Sequence, residues 1–322
     1  MKWWVRLVTL NIGIELPEDH ITQKCSIFGI TGTGKSNGLG VFLEEYCKKN
    51  MPFVCIDVMG AHYGLAEKYK VAIYGGKKGV ELEKDSGWLM ANAVYKSDEH
   101  NLNSIFDVSE WNDFEMQLWI ADFLTEIFRL HSEKRTPRHI FVEEAEVFFP
   151  QNGYDESKKS LLAGNKVMKR GRSIGLGMTL ISQRPQDVNK KTLSQSQANF
   201  LLHLEGVTEM KVVREMLRSE TREIRDGLIS KITTAKKGEC LLYSPQWIGK
   251  NVFFKFRVRD TFHAGYTPEL GKKVVEPVLV NQIKPKIIID DEVKEEGKKM
   301  SATQLTMGIL LGLTLYVVTT II

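Results

Sequence analysis

Cysteine is scarce in this sequence and never paired. Cys25, Cys47, Cys55 and Cys240 are the only four in 322 residues, and no two form a Cys-x-x-Cys. Neither a zinc site nor a disulfide framework is indicated, and a reducing compartment fits best. A strong charge of one sign is also missing. Lysine and arginine number 44 against 40 aspartates and glutamates, a formal net charge of +4. Composition therefore does not mark a nucleic-acid binder, and any such contact must come from local clustering. No internal repeat is visible. The opening MKWWVRLVTLNIGIEL alternates like a strand and leads to no small-residue cleavage site, so a secretory signal is not expected.

What is present is a globular composition, 43% hydrophobic and 26% charged, enough for one large core or two modest ones. Apolar strand-like runs alternate with helical ones, the pattern of an α/β protein with a mostly parallel sheet flanked by helices. Strands are expected at Lys24 to Phe28, Phe53 to Val58, His139 to Phe141 and beyond, Met178 to Ser182, Phe200 to Leu204 and Gly238 to Tyr243. Helices are expected at Lys35 to Lys49 and at about Glu110 to Leu130, the latter with Phe114, Leu118, Ala121, Leu124 and Phe128 on one face. The chain divides into a strand lead-in at 1–20, a core at 21–270, a charged linker at 271–301 and a candidate membrane anchor at 302–322. No charged residue occurs from Ser301 to Ile322, and Lys298 and Lys299 precede that run. Such a segment reaches roughly 27–30 Å as a helix, so a single transmembrane helix is expected with the core on the cytoplasmic side. Gly308 and Gly312 form a G-x-x-x-G, a weak helix-pairing signal.

The strongest local motif is Gly29 to Ser36, GITGTGKS, set between an expected strand and an expected helix. It matches G-x-x-x-x-G-K-[ST], in which backbone N–H groups and a helix N-terminus cradle phosphates. Gly29, Thr31, Gly32, Thr33, Gly34, Lys35, Ser36 and Asn37 form the expected nucleotide-binding set. Lys35 reaches the β and γ phosphates, and the Ser36 hydroxyl coordinates Mg²⁺. HIFVEEAEVFFP at His139 to Pro150 then delivers two adjacent carboxylates from an apolar strand. Glu143 is assigned to the metal and Glu144 to polarising the attacking water. No Asn-Lys-x-Asp guanine reader occurs, since Asn165-Lys166 and Asn189-Lys190 lack the aspartate, so ATP is the expected nucleotide.

MTLISQRP, Met178 to Pro185, closes a strand on Ser182 and Gln183, and places the Gln183 amide where it can sense the γ-phosphate. Upstream, MKRGRSIGLG carries Lys169, Arg170 and Arg172; Arg172 is the candidate arginine finger toward a neighbouring subunit's nucleotide. Arg214, Arg218, Arg222 and Arg225 recur at helical spacing, but Glu215, Glu220 and Glu223 are interleaved, which favours a solvated face with internal ion pairs.

Together these motifs resemble the HerA and FtsK superfamily of ring-forming DNA-pumping ATPases, the HerA-like branch most closely. The resemblance rests on GITGTGKSN, IDVMGAHYGL, FVEEAEVFFP, GRSIGLGMTLISQRPQDV and RVRDTFHAGYTPEL, in that order, over roughly residues 20 to 270. It implies a RecA-like P-loop NTPase fold, a homo-oligomeric ring with ATP at subunit boundaries, and force on double-stranded DNA without sequence preference. The chain departs from the pattern at Glu143, where aspartate is frequent, and at Glu146, where histidine is. The expected function is an ATP-hydrolysing motor that translocates, unwinds or packages DNA at a membrane. The alternatives are an ATP-driven protein secretion or conjugation pump and a nucleotide-dependent membrane scaffold.

Overall fold

The computed structural model describes residues 9–96, 102–153, 157–265 and 275–283. A small hairpin, β1 (Thr9–Asn11) and β2 (Glu15–Pro17), precedes the main sheet. Then follow β3 (Lys24–Phe28), α1 (Lys35–Lys48), β4 (Phe53–Asp57), β5 (Val71–Gly75), α2 (Gly87–Lys96), β6 (Asn103–Asp107), α3 (Asp113–Glu133) and β7 (Arg138–Val142). The second half holds α4 (Ala145–Phe148), α5 (Ser157–Arg170), β8 (Leu176–Ser182), α6 (Lys190–Leu193), β9 (Ala198–Leu201), α7 (Val207–Met216) and α8 (Arg222–Thr233). It closes with β10 (Glu239–Ser244), β11 (Lys250–Lys255) and β12 (Gln282–Ile283).

The ten-stranded sheet has the order β11-β10-β9-β3-β8-β7-β4-β6-β5-β12. Every pairing from β9 to β12 is parallel; β10 and β11 join antiparallel at the far edge. β4 to β8 are buried along their whole length, as parallel strands covered on both faces must be. One consequence positions the site: β8 lies between β3 and β7, so the strands bearing the glycine-rich loop, the terminal glutamine and the paired acids are consecutive neighbours.

Local signals explain the best-placed helix and its one surprise. Asn112 caps α3, accepting from the Glu115 N–H while Glu115 reaches back to the Asn112 N–H, a reciprocal capping box. The buried side of α3 is Met116, Trp119, Ile120, Phe123, Leu124 and Ile127, whereas Phe114, expected on the core face, is 50% exposed. The helix starts at Asp113 and packs against both α2 and α5, so its apolar surface is broader than a single stripe; Ala121, Leu124 and Phe128 of the expected face are buried, and Phe114 in the first turn is not. Phe42, Phe141, Phe200 and Phe256 join α1 to the sheet in the main core, which also takes in Leu10, Ile12 and Leu16 of the hairpin.

Within the segment read as a charged linker, Gln282–Ile283 pairs in parallel with Val71–Ala72, and Asn281 donates to the Ala66 carbonyl at 3.0 Å. Its beginning therefore completes the sheet edge. The expected anchor at 302–322 lies outside the described residues, and among the described residues no helix is long and apolar enough to cross a membrane.

Candidate functional site

The glycine-rich loop turns from β3 into α1 through two left-handed residues, Gly32 (φ 82°) and Gly34 (φ 108°), a conformation that a side chain would strain. A Cβ on Gly29 would come within 2.7 Å of the Thr33 hydroxyl and 2.8 Å of Leu202. The loop is pinned from outside: Ile30 donates to the His203 carbonyl at 3.0 Å and Gly238 donates to the Thr33 carbonyl at 2.8 Å. The Thr33 hydroxyl closes back on the Ile30 carbonyl at 2.7 Å. Lys35 Nζ lies against the Gly29 and Ile30 carbonyls at 2.6 and 3.1 Å. Burial lowers its pKa, opposed by the carboxylates of Glu144, Glu146 and Glu143. Ser36 sits half-buried in the first turn of α1. Asn37 faces elsewhere. Its amide donates to the Arg257 carbonyl at 2.8 Å and accepts from the Arg259 N–H at 3.1 Å, fastening α1 to the segment after β11.

The acids arrive at the end of β7. Glu144 holds a left-handed backbone (φ 44°), one of two non-glycine residues with positive φ among those described. Such a conformation costs about 1–3 kcal/mol and concentrates at functional positions. Gln183, from the end of β8, accepts from the Thr31 hydroxyl at 2.6 Å and reaches toward Glu144 Oε2 with its amide at 3.4 Å. The loop, the amide and the acid thus form one line of side chains. Behind them, Glu146 is raised to about 7 by burial and by the nearby Glu144 charge.

Glu143 is only 4% exposed, and burial raises it to about 7 against the hydrogen-bonding influence of the adjacent Asp57 and the pull of Lys35 and Arg259. Its Oε1 meets His62 Nε2 at 3.2 Å, while its Oε2 is buried with no hydrogen-bond partner. Burial holds His62 down at about 4, so the ring is neutral near pH 7. Arg259 Nη1 lies 3.4 Å from His62 Nδ1. A guanidinium only donates, which leaves the His62 proton on Nε2 and directs it at Glu143. Asp57, at the end of β4, is raised to about 7 by burial and accepts from the N–H groups of Met59, Ala61 and His62.

Asp57, His62 and Glu143 offer ligand atoms within 4.8 Å of one another. A divalent ion among all three would sit beside the Arg259 guanidinium and compete with the three N–H donors on Asp57. The geometry therefore reads better as a hydrogen-bonded clamp on Glu143, whose Oε2 is the oxygen left for a hard, oxygen-seeking cation. Asp57, His62 and Arg259 were given no role by sequence reasoning. The available signal was an aspartate closing a fully buried strand, in IDVMGAHYGL, next to the strand that carries the paired acids.

Arg172 is exposed in the turn before β8, at the end of the sheet opposite the glycine-rich loop. It electrostatically lowers the pKa of Lys24, at the start of β3, after the larger effect of burial. β8 separates Arg172 from Gln183 by roughly 20 Å at the usual strand rise, so Arg172 does not enter the nucleotide loop of its own chain. The arginine-rich stretch is not one helix: Arg214 lies on α7, Arg218 in the turn after it, and Arg222 and Arg225 on α8. Arg218 pairs with Glu215 at 2.9 Å, and Arg222 lies 3.8 Å from Asp226, the internal ion pairs of a solvated surface.

Comparison with known proteins agrees with this geometry. Residues 8–108 match the family model of the helicase HerA central domain. The chain is 25% identical over 283 residues to a probable helicase of Methanocaldococcus jannaschii, a match covering 71% of this chain and 52% of that protein, about half its length. Among solved structures, the genome packaging NTPase B204 of Sulfolobus turreted icosahedral virus 2, in complex with ATP-gammaS, aligns with a TM-score of 0.50 and 14% identity over 74% of this chain and 99% of that one. VirB4 of Thermoanaerobacter pseudethanolicus aligns with a TM-score of 0.54 and 13% identity over 79% and 96%. At such identities the structures share a fold.

Proposed function

We propose that this HerA-like P-loop ATPase is the motor subunit of a homo-oligomeric ring that translocates, unwinds or packages double-stranded DNA without sequence preference. The observation that carries the reading is the line Thr31, Gln183, Glu144, which links the phosphate loop to the water-activating acid through a side chain at the tip of the intervening strand. The matched relatives include a probable helicase, and one solved structure of similar fold is a genome packaging NTPase holding an ATP analogue.

In this reading the loop amides and Lys35 hold the ATP phosphates, and Lys35 swings from the Gly29 and Ile30 carbonyls to the γ-phosphate. Glu144 accepts a proton from the attacking water, and Gln183 moves with the presence or loss of the γ-phosphate. The Ser36 hydroxyl and Glu143 would hold Mg²⁺, which would neutralise phosphate charge. ATP-dependent displacement of a third strand from duplex DNA tests the motor. Displacement that needs hydrolysable ATP supports it, and ATP turnover with no displacement and no response to DNA moves the reading to a protein-directed pump.

We also propose that residues 302–322 tether the motor to a membrane with the ATPase on the cytoplasmic side, supported by the uncharged run after Lys298 and Lys299. Removing Ser301 to Ile322 is expected to free the protein from lipid in flotation while ATP binding persists; a truncated form that still floats overturns the tether.

A further inference from the structure

The loop that leaves Gln183 walls a cleft that the nucleotide chemistry does not use. Residues 184–197 run from the end of β8 through α6 to the start of β9, and with α7 and the end of β10 they enclose about 770 Å³. The charged lining is three cations, Lys190, Lys211 and Arg218, against one carboxylate, Glu215, which already engages Arg218 at 2.9 Å. Lys190 and Lys211 are both exposed. The lining also includes Gln186, Ser196 and Gln197, whose Oε1, Oγ and Oε1 atoms are buried with no hydrogen-bond partner. Buried polar atoms are rarely left unpaired, and three belonging to one cleft point to a polar site that bridging water completes, beside lysines that suit a ligand with negative charge.

Resting on the motor reading above, we propose that this cleft grips the phosphodiester backbone of the DNA, with Lys190 and Lys211 on phosphate oxygens and the glutamine and serine groups on water bound to that backbone. Such contacts carry no base preference. The same loop is tied to the catalytic side. Arg184 donates to the Ser182 hydroxyl at 2.9 Å, Gln151 donates to the Asp187 carbonyl at 2.6 Å, and the Lys190 N–H donates to Gln151 Oε1 at 2.8 Å. Pro150 and Val188 form an isolated antiparallel bridge. The cleft wall is thereby fastened both to the strand end bearing Gln183 and to the segment following Glu144, so a shift of Gln183 at the nucleotide is transmitted to the lysine that holds DNA.

The test is duplex binding by fluorescence anisotropy across a salt series, comparing the whole chain, the Lys190→Gln/Lys211→Gln double variant and an Arg222→Gln/Arg225→Gln control. Each lost phosphate contact removes about 0.9 from the slope of log affinity against log salt. The cleft variant should therefore bind more weakly with a slope shallower by about 1.8, while the control keeps the parent slope. Both lysines are exposed, and matching thermal melts verify that the fold is retained. If the whole chain binds DNA and the cleft variant keeps the parent slope, the cleft is not the DNA site and the motor reading stands. If the whole chain binds no DNA even at low salt, the motor reading fails and takes the cleft with it.

Discussion

Glu144 combines two properties at one residue, a left-handed backbone that glycine would adopt without strain and a carboxylate in line with Gln183 and Thr31. Glu144→Gln should keep ATP binding by calorimetry and lower turnover by about 10²- to 10⁴-fold, the usual scale of a lost general base. Glu144→Gly should be as inactive yet more resistant to urea, because it releases roughly 1–3 kcal/mol of backbone strain. An unchanged or lowered urea midpoint would show that the conformation is not strained. Glu143 depends on its clamp. His62→Ala should raise the Mg²⁺ concentration needed for nucleotide binding by about 10–100-fold, the scale set by outer-shell partners of metal ligands. Binding in chelator should hardly move, and His62→Gln, which keeps an N–H donor, should recover part of the loss. Equal losses with and without Mg²⁺ would make His62 merely structural. The glycine-rich loop and the acid pair could be read from sequence because each is a short contiguous pattern whose spacing the chemistry dictates. The clamp could not, since His62 and Arg259 are 197 residues apart and meet only through the path of the chain after β11. Asn37 lies inside the legible motif, but its partners Arg257 and Arg259 are 220 and 222 residues away, so its role as a fastening was hidden too.

At the level of elements, the ends of β3, β7 and β8 are where the apolar runs placed them, whereas β5, β6 and β11 escaped notice. β6, NSIFD, contributes only two large apolar residues, and its Asn103 and Ser104 are buried through sheet position rather than hydrophobicity. Buried polar residues also join the elements beneath the site. His139 of β7 stacks on His20 at 4.8 Å, bonds the Thr179 hydroxyl of β8 at 2.7 Å and lies 3.1 Å from the Ile21 carbonyl. Burial holds His139 at about 3 and lowers His20 as well. An unfolded histidine titrates near about 6.5, so the neutral native ring contributes its full stability above that pH and loses it as pH falls toward 3. The buried carboxyls Asp57, Glu143 and Glu146, raised to about 7, act in the opposite sense and stabilise as pH falls from 7 toward their unfolded values. The histidine contribution is therefore isolated by comparison with His139→Gln. The stability advantage of the parent chain should shrink between pH 6.5 and 5 by up to about 1.4 kcal/mol per pH unit. A pH-independent difference in urea unfolding would contradict this assignment.

At the scale of the whole molecule, one chain supplies the glycine-rich loop, the paired acids and the Gln183 amide at one end of the sheet, and presents Arg172 at the other. An arginine so placed acts on a nucleotide only across a subunit boundary. Arg172→Ala and Glu144→Gln proteins, each inactive alone, should regain partial turnover when mixed, because some boundaries then pair an intact acid with an intact arginine; no recovery would remove Arg172 from the reaction. In the proposed motor, Gln183 and the loop behind it would join chemistry to DNA, so turnover should depend on DNA. The measurement that reaches this dependence most directly is ATP hydrolysis by the purified chain with and without long duplex DNA, beside Glu144→Gln. Strong stimulation by DNA that vanishes in the variant is the expected result. Turnover indifferent to DNA, yet still abolished by Glu144→Gln, would leave an ATPase and contradict the DNA motor.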